Sequence, residues 1–161
     1  MDAGCGSGRD SKAFLDNGYY VLSFDASKEM CRRAAEYIGR EVMNLSFEEM
    51  DFKNEFDGVW VCASLLHVPM DDLPGVMKKI YLSLKKNGVI YASFKYGNGM
   101  TVRGERQFSD FTEKSIISLF ETAGFQIINV VVGGDSRLGR ENEKWVNVLG
   151  MSSGGAVCGE K

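Results

Sequence analysis

Strand-like and helix-like segments alternate along this chain, and that alternation restricts its fold more than any other property. Residues 19–25, 59–63 and 89–95 are nearly continuous apolar, β-prone runs of the kind buried on both faces of a sheet. Residues 42–45 are a shorter run of the same type. Between them lie segments with helical spacing, each followed by glycine: residues 9–17 before Gly18, Met30, Ala34, Tyr37 and Ile38 before Gly39, Val76, Ile80 and Leu84 before Gly88, and Ile116, Leu119, Phe120 and Ala123 before Gly124. Ser27, Asp71 or Asp72, and Thr112 stand where helices want an N-terminal cap. The expectation is a doubly wound α/β domain with a mostly parallel sheet. Residues 96–111 and 133–144 read as polar connections. The strands at 125–132 and 145–149 have no helix between them, so they pair antiparallel.

Within that frame the segment from Asp2 to Asp10 holds three glycines at alternate positions, Gly4, Gly6 and Gly8, where a first strand turns into a first helix. Glycine reaches backbone angles closed to other residues and lets a ligand approach the main chain, although such runs also form plain turns. Ligands of open α/β sheets bind beyond the carboxyl ends of the strands. That rule collects the glycine loop, Asp25, residues 44–47 and residues 62–67 on one edge. Asp25 lies about 20 residues beyond Gly4, where a carboxylate can accept both ribose hydroxyls of an adenosine cofactor; its other reading is a helix-capping group. A nicotinamide dinucleotide is disfavoured because the third glycine comes one residue earlier than G-x-G-x-x-G requires.

The 161 residues suit one domain, with 44% apolar and 25% charged residues. A net charge of −3 and the absence of a basic arm argue against nucleic-acid binding. No apolar run reaches the ~20 residues of a membrane helix and no leader stands at the start, so a cytoplasmic location is expected. Cys5, Cys31, Cys62 and Cys158 are widely spaced and His67 is the single histidine, so no metal site is expected and the thiols read as reduced. Oligomeric state is left open by the sequence.

The residues 2–8, 25–27, Phe56-Asp57 before an apolar strand, Ser64-Leu65-Leu66-His67 and Lys86-Asn87-Gly88-Val89 resemble, in order and spacing, a class I S-adenosylmethionine-dependent methyltransferase. More narrowly, residues 63–69, 91–95, 135–140 and 145–147 resemble the small tellurite-resistance-like methyltransferases. The resemblance covers about residues 1–150. It implies a Rossmann-like sheet with an antiparallel last strand, S-adenosylmethionine as cofactor and S-adenosylhomocysteine as product. It further implies that Gly4, Cys5, Gly6 and Gly8 line the methionine part with Asp2 supporting the loop, that Asp25 with Ala26 holds the ribose, that Leu45, Ser46 and Phe47 flank the adenine, and that Cys62 and Ala63 approach the methionine. Such proteins open with helices and a full first strand, so residues 1–151 read as a methyltransferase domain shortened at its start. Residues 152–161 read as a disordered tail.

Methyl transfer from a sulfonium is an in-line displacement, so the protein mainly positions donor and acceptor and excludes water. His67 is the candidate general base for an acceptor that must lose a proton; its other reading is a structural loop residue. Lys95, Arg103, Arg106, Arg137 and Arg140 place positive charge in the loops of the same edge, suited to a small polar or anionic acceptor, with Trp145 and Asn147 as part of the wall. The alternative is solvated loop charge offset by Asp110, Asp135, Glu141 and Glu143. At the level of function, the alternative is a protein that binds the cofactor without catalysing transfer.

Overall fold

In the computed structural model the strands are β1 (Asp2–Ala3), β2 (Ser23–Asp25), β3 (Met43–Asn44), β4 (Phe56–Cys62), β5 (Leu84–Lys95), β6 (Gly99–Arg103), β7 (Arg106–Asp110), β8 (Phe125–Gly134) and β9 (Lys144–Ser152). The helices are α1 (Arg9–Asp16), α2 (Lys28–Ile38), α3 (Leu73–Ser83) and α4 (Glu113–Ala123), with a single 3-10 turn at Leu65–His67. The structure describes residues 1–104, 106–135, 137–140 and 142–153, with the backbone alone for Arg103 and Arg106.

Seven strands form one sheet in the order β3-β2-β1-β4-β5-β9-β8. The first five of these pair in parallel, and β9 runs antiparallel to both β5 and β8. This is the Rossmann-like, doubly wound arrangement expected from the alternation. For α2 and α4 the local signals that start and stop the helix are the ones the sequence offers, whereas Asp72 stands at the start of α3 without a side-chain capping bond. Ser27 Oγ accepts from the Met30 N–H at 3.3 Å, Thr112 and Ser115 form a reciprocal cap on α4, and Gly39 and Gly124 close their helices at φ 69° and 104°.

Alternate residues of β4 divide the interior. Val59 and Val61 belong to the large core, with Leu73, Val76, Met77 and Ile80 of α3, Ile116 and Phe120 of α4, and Ile90, Ala92, Phe94, Val146 and Val148 of the neighbouring strands. Each of these side chains larger than alanine contributes roughly 1.5–3 kcal/mol by leaving water. Trp60 packs instead on Phe14 of α1, with ring centroids 5.3 Å apart, and stacks on Tyr91 at 4.0 Å. A smaller cluster of Cys31, Ala34 and Val42 binds α2 to the sheet and takes in Cys5 of the glycine loop.

Several expectations need correction. The run at 19–25 becomes a strand only at Ser23, and Tyr19 and Tyr20 are 65% and 101% exposed, so it is not buried along its length. The third helix ends at Ser83 rather than near Gly88; Lys85 lies in β5 and pairs with Asp57 at 2.9 Å. The connection at 96–111 contains the β6–β7 hairpin, which pairs outside the main sheet. Ser152, assigned above to the tail, is the last residue of β9, and its buried hydroxyl donates to the Lys85 carbonyl at 2.8 Å. Residues 154–161, including Cys158, lie outside the described residues.

Beneath the glycine loop, Asp2 is 2% exposed and accepts from Ser11 Oγ at 2.5 Å, which in turn meets Ser23 Oγ at 2.8 Å. Desolvation raises the Asp2 carboxyl above its ordinary range, with Asp10 adding to the effect, while Ser11 and the terminal ammonium oppose it. A folded-state value above the unfolded one means that folding favours the protonated form. The associated stability is present below the unfolded value and is lost as pH rises through the folded one. Relative to Asp2→Asn, the parent is therefore expected to lose stability between pH 4 and pH 7. Urea unfolding of both proteins at the two pH values measures this, and a parent that gains on the variant would contradict it.

Candidate functional site

The end of β1 turns upward because Gly4, Gly6 and Gly8 all take left-handed conformations, at φ 73°, 56° and 87°. The Gly4 and Cys5 N–H groups both donate to the Phe24 carbonyl at 2.9 Å, which ties the loop to β2. A Cβ at Gly4 would stand 2.4 Å from Ser64 Cβ, so this glycine permits contact with the loop after β4. At Gly8 it would meet Ile38 and Ala34 at 3.0 and 3.2 Å, so that glycine lets α2 pack close. Gly6 has nothing within 4 Å of such a position.

Asp25, at the end of β2, accepts the Gly6 N–H at 2.9 Å through Oδ2 and the Ser27 N–H at 2.9 Å through Oδ1. One carboxylate therefore sets both the loop and the start of the segment leading into α2. Its backbone carbonyl takes Cys31 Sγ at 3.2 Å and Asn44 Nδ2 at 3.1 Å. These contacts hold the ends of β2 and β3 at the same edge.

A cleft of about 590 Å³ opens there. Gly4, Gly6, Asp25 and Ala26 line one side, Leu45, Ser46 and Phe47 another, and Ala63 and His67 a third, so nine of the predicted positions meet in one cavity. Phe47 is held edge-to-face on Phe24 at 5.5 Å. Ala63 is left-handed at φ 53°, an unusual conformation for a residue with a Cβ, and its N–H donates to Ser93 Oγ at 2.9 Å. Ser64 Oγ donates to the Ala3 carbonyl at 2.8 Å and closes the cleft floor. Met30 and Glu48 also line the wall, although neither stood out in the sequence.

Other predicted residues serve from outside the cavity. Asp2 lies buried below the loop, and the half-buried Cys5 thiol is pushed up to about 12 by burial, so it packs as an apolar group. Cys62 contacts Ser93 Oγ and the Arg9 guanidinium at 3.7 and 4.0 Å. Burial also raises its thiol above the ordinary range.

His67 is exposed on the cleft rim, with its ring 5.0 Å from that of Phe108 on β7. The hairpin is fixed there by Ser109 Oγ, which donates to the Val68 carbonyl at 2.9 Å. Beyond β5 the basic residues meet acids. The buried Lys95 ammonium pairs with Glu143, lies 3.8 Å from Asp135 and sits 4.3 Å over the Trp145 ring. Arg137 grips Asp135 through two donors at 2.8 and 2.5 Å, and Trp145 Nε1 donates to the same carboxylate at 3.0 Å. Arg137 is the largest of the causes that hold Asp135 well below the usual carboxylate range. Arg140 stands 3.6 Å from Glu143. Asn147 is tied to Tyr91 at 2.7 Å and to the Val131 carbonyl at 3.3 Å. The Arg106 side chain and Glu141 lie outside the described residues.

Among the described residues no group of three or more His, Cys, Asp or Glu is placed to hold a metal, and no helix is long and apolar enough to cross a membrane. The strand order, the antiparallel β9 and the glycine loop facing Asp25 make this a class I methyltransferase fold. A family model described as a methyltransferase domain matches residues 1–92, and the chain belongs to that family.

The likeness to solved structures covers nearly all of the chain. The 1,6-didemethyltoxoflavin-N1-methyltransferase of Burkholderia thailandensis, solved with 1,6-didemethyltoxoflavin and S-adenosylhomocysteine, is 21% identical with a TM-score of 0.82 over 94% of this chain and 69% of its own. An S-adenosylmethionine-dependent methyltransferase from Methanosarcina mazei is 19% identical, TM-score 0.83, over 94% and 90%. The cyclase SpnF is 17% identical, TM-score 0.77, over 96% and 75%. At these identities the likeness concerns the fold, which hosts more than one reaction. A comparison with curated protein sequences gives no match.

Proposed function

We propose that the cleft binds S-adenosylmethionine and that the chain transfers its methyl group to a small polar or anionic acceptor. The observation that carries this reading is the joining of Gly6 and Asp25 by a hydrogen bond at the cavity wall. A glycine that leaves open space beside a carboxylate at the strand ends suits a nucleoside whose ribose offers two hydroxyl donors. Leu45 and Phe47 supply apolar surface for a neutral base, and the open wall at Gly6 leaves room for the amino-acid end. When bound, the cofactor supplies the electrophilic methyl on its sulfonium. The chain's part is to hold the acceptor in line with it and to exclude water.

His67 is the general base in this reading; its exposure at the cleft beside the Phe108 ring supports the role. Lys95, Arg106, Arg137, Arg140, Trp145 and Asn147 form the acceptor side in this reading. The pairings of Lys95, Arg137 and Arg140 with Asp135 and Glu143 favour a polar acceptor that exchanges partners with these groups over one requiring an isolated cation. The narrower likeness to tellurite-resistance-like methyltransferases rests on residues 63–69, 91–95, 135–140 and 145–147 and is part of the same reading.

The test is release of label from methyl-labelled S-adenosylmethionine across a panel of small metabolites, beside calorimetry with S-adenosylhomocysteine and with NAD. Binding of S-adenosylhomocysteine with methylation of at least one acceptor is expected. Binding without any transfer would favour a cofactor-binding protein, and binding of NAD instead would overturn the reading. On the acceptor so found, His67→Gln is expected to lower turnover by about 100-fold or more while S-adenosylhomocysteine affinity stays within about twofold. Unchanged turnover would remove His67 from the chemistry.

A further inference from the structure

The main sheet ends at β8, which pairs with β9 on one side and, among the described residues, with no strand on the other. The ten residues Phe125–Gly134 contain no Asp, Glu, Lys, Arg or Pro, although charged residues make up 25% of the chain. Sheet edges are ordinarily protected by charge, proline or a bulge, because their free backbone groups recruit other strands. On β8 the one such device is the register shift between Ile127 and Asn129. Beyond it the strand is regular, and Asn129 to Gly134 pair residue for residue with Leu149 to Lys144.

The direction of the free groups follows from the residue after the strand. The Asp135 N–H donates to the Glu143 carbonyl at 2.8 Å, on the β9 side. Backbone groups alternate in direction along an antiparallel strand, so Asn129, Val131 and Gly133 turn theirs to β9 while Val130, Val132 and Gly134 turn theirs outward. The side chains of Val130 and Val132 pack against the large core and are only half-buried. Val131, on the opposite face, is 50% exposed. Unpaired backbone groups and incompletely covered valines therefore lie along the same six-residue edge, Asn129 to Gly134.

A second copy of the chain meets both needs. Two identical strands related by a two-fold axis run antiparallel, so the outward groups of one can bond those of the other, and each copy covers the valines of its neighbour. Because β8 is uncharged, the symmetry brings no like charges together along the strand. We propose that β8 pairs with β8 of a second copy about a two-fold axis near Val131, joining two sheets into one. Since β8 runs parallel to β5, the strands of the second copy run the opposite way. The two clefts then open at opposite edges of the joined sheet, and the pairing leaves both accessible.

Light scattering during size-exclusion chromatography of the full chain at about 100 µM should give twice the mass of one chain, with a dissociation constant of about 1–10 µM on dilution. Val131→Lys sets two ammonium groups against each other near the axis and is expected to elute as a monomer with an unchanged circular dichroism spectrum. In the unmutated chain the Val130 and Val132 amides should exchange with deuterium at least about 10-fold more slowly at about 100 µM than at about 1 µM, a readout that requires no variant. A parent that is monomeric at the higher concentration overturns the proposal and leaves the edge to a strand of another protein. A dimer that persists undiminished in Val131→Lys, or whose Val130 and Val132 exchange does not depend on concentration, has its interface elsewhere and overturns the proposal as well.

Discussion

Gly4→Ala is expected to unfold about 6–12 °C below the parent. Two effects add at this position. An alanine at φ 73° costs about 1–2 kcal/mol relative to glycine. Its Cβ would also lie 2.4 Å from Ser64 Cβ and 2.9 Å from Ser64 Oγ, which forces the glycine loop away from the loop after β4. Overpacking of this kind costs about 1–3 kcal/mol. A sum near 3 kcal/mol is a large share of the ~5–15 kcal/mol available to a domain, and each kcal/mol moves Tm by roughly 2–4 °C at this size. The neighbouring Gly6→Ala is the control, since it shares the left-handed backbone and meets nothing within 4 Å. Thermal unfolding followed by circular dichroism should rank parent, Gly6→Ala and Gly4→Ala in falling order. A Gly4→Ala protein that melts within about 2 °C of the parent would show that the two loops are not packed as described.

The difference between these two glycines illustrates what a sequence holds and what it does not. Their alternation and the strand-helix rhythm are local patterns, so the loop, the parallel sheet, the capped helices and Asp25 could all be read before any coordinates. Both glycines line the cleft, and which of them also serves packing depends on Ser64, a side chain brought in by a distant segment. The β6–β7 hairpin escaped for a related reason. Its glycines and polar residues look like a loop, and it is held by contacts with distant segments, the Ser109 bond to Val68, the Phe108 contact with His67 and the Phe111 N–H bond to the Lys95 carbonyl at the end of β5. Charge was legible as a count and not as pairings. Lys95, Arg137 and Arg140 stand in two segments that carry basic residues, and the fold sets them against Asp135 and Glu143.

Asp25→Ala is expected to lower S-adenosylhomocysteine affinity by about 100- to 1,000-fold. The carboxylate has two kinds of work in this structure. It accepts the Gly6 and Ser27 N–H groups and so shapes the loop and the approach to α2. Each oxygen still has a second lone pair, and these are the acceptors available to a ribose diol on the cleft wall. Hydrogen bonds to a charged group contribute about 1.5–3 kcal/mol each, so loss of two at the lower end of that range accounts for the expected factor. Asp25→Asn separates the two kinds of work, because the amide keeps one acceptor oxygen and replaces the other with a donor that opposes the Gly6 or Ser27 N–H. Its affinity should fall between parent and alanine variant. S-adenosylhomocysteine and 5′-methylthioadenosine both contain the ribose, so the two ligands should weaken together. The alanine variant should also melt a few degrees lower, since two backbone donors lose their partner. A folded Asp25→Ala protein that binds both ligands as tightly as the parent would leave Asp25 as a cap for the turn into α2 and move the nucleoside away from this wall of the cleft.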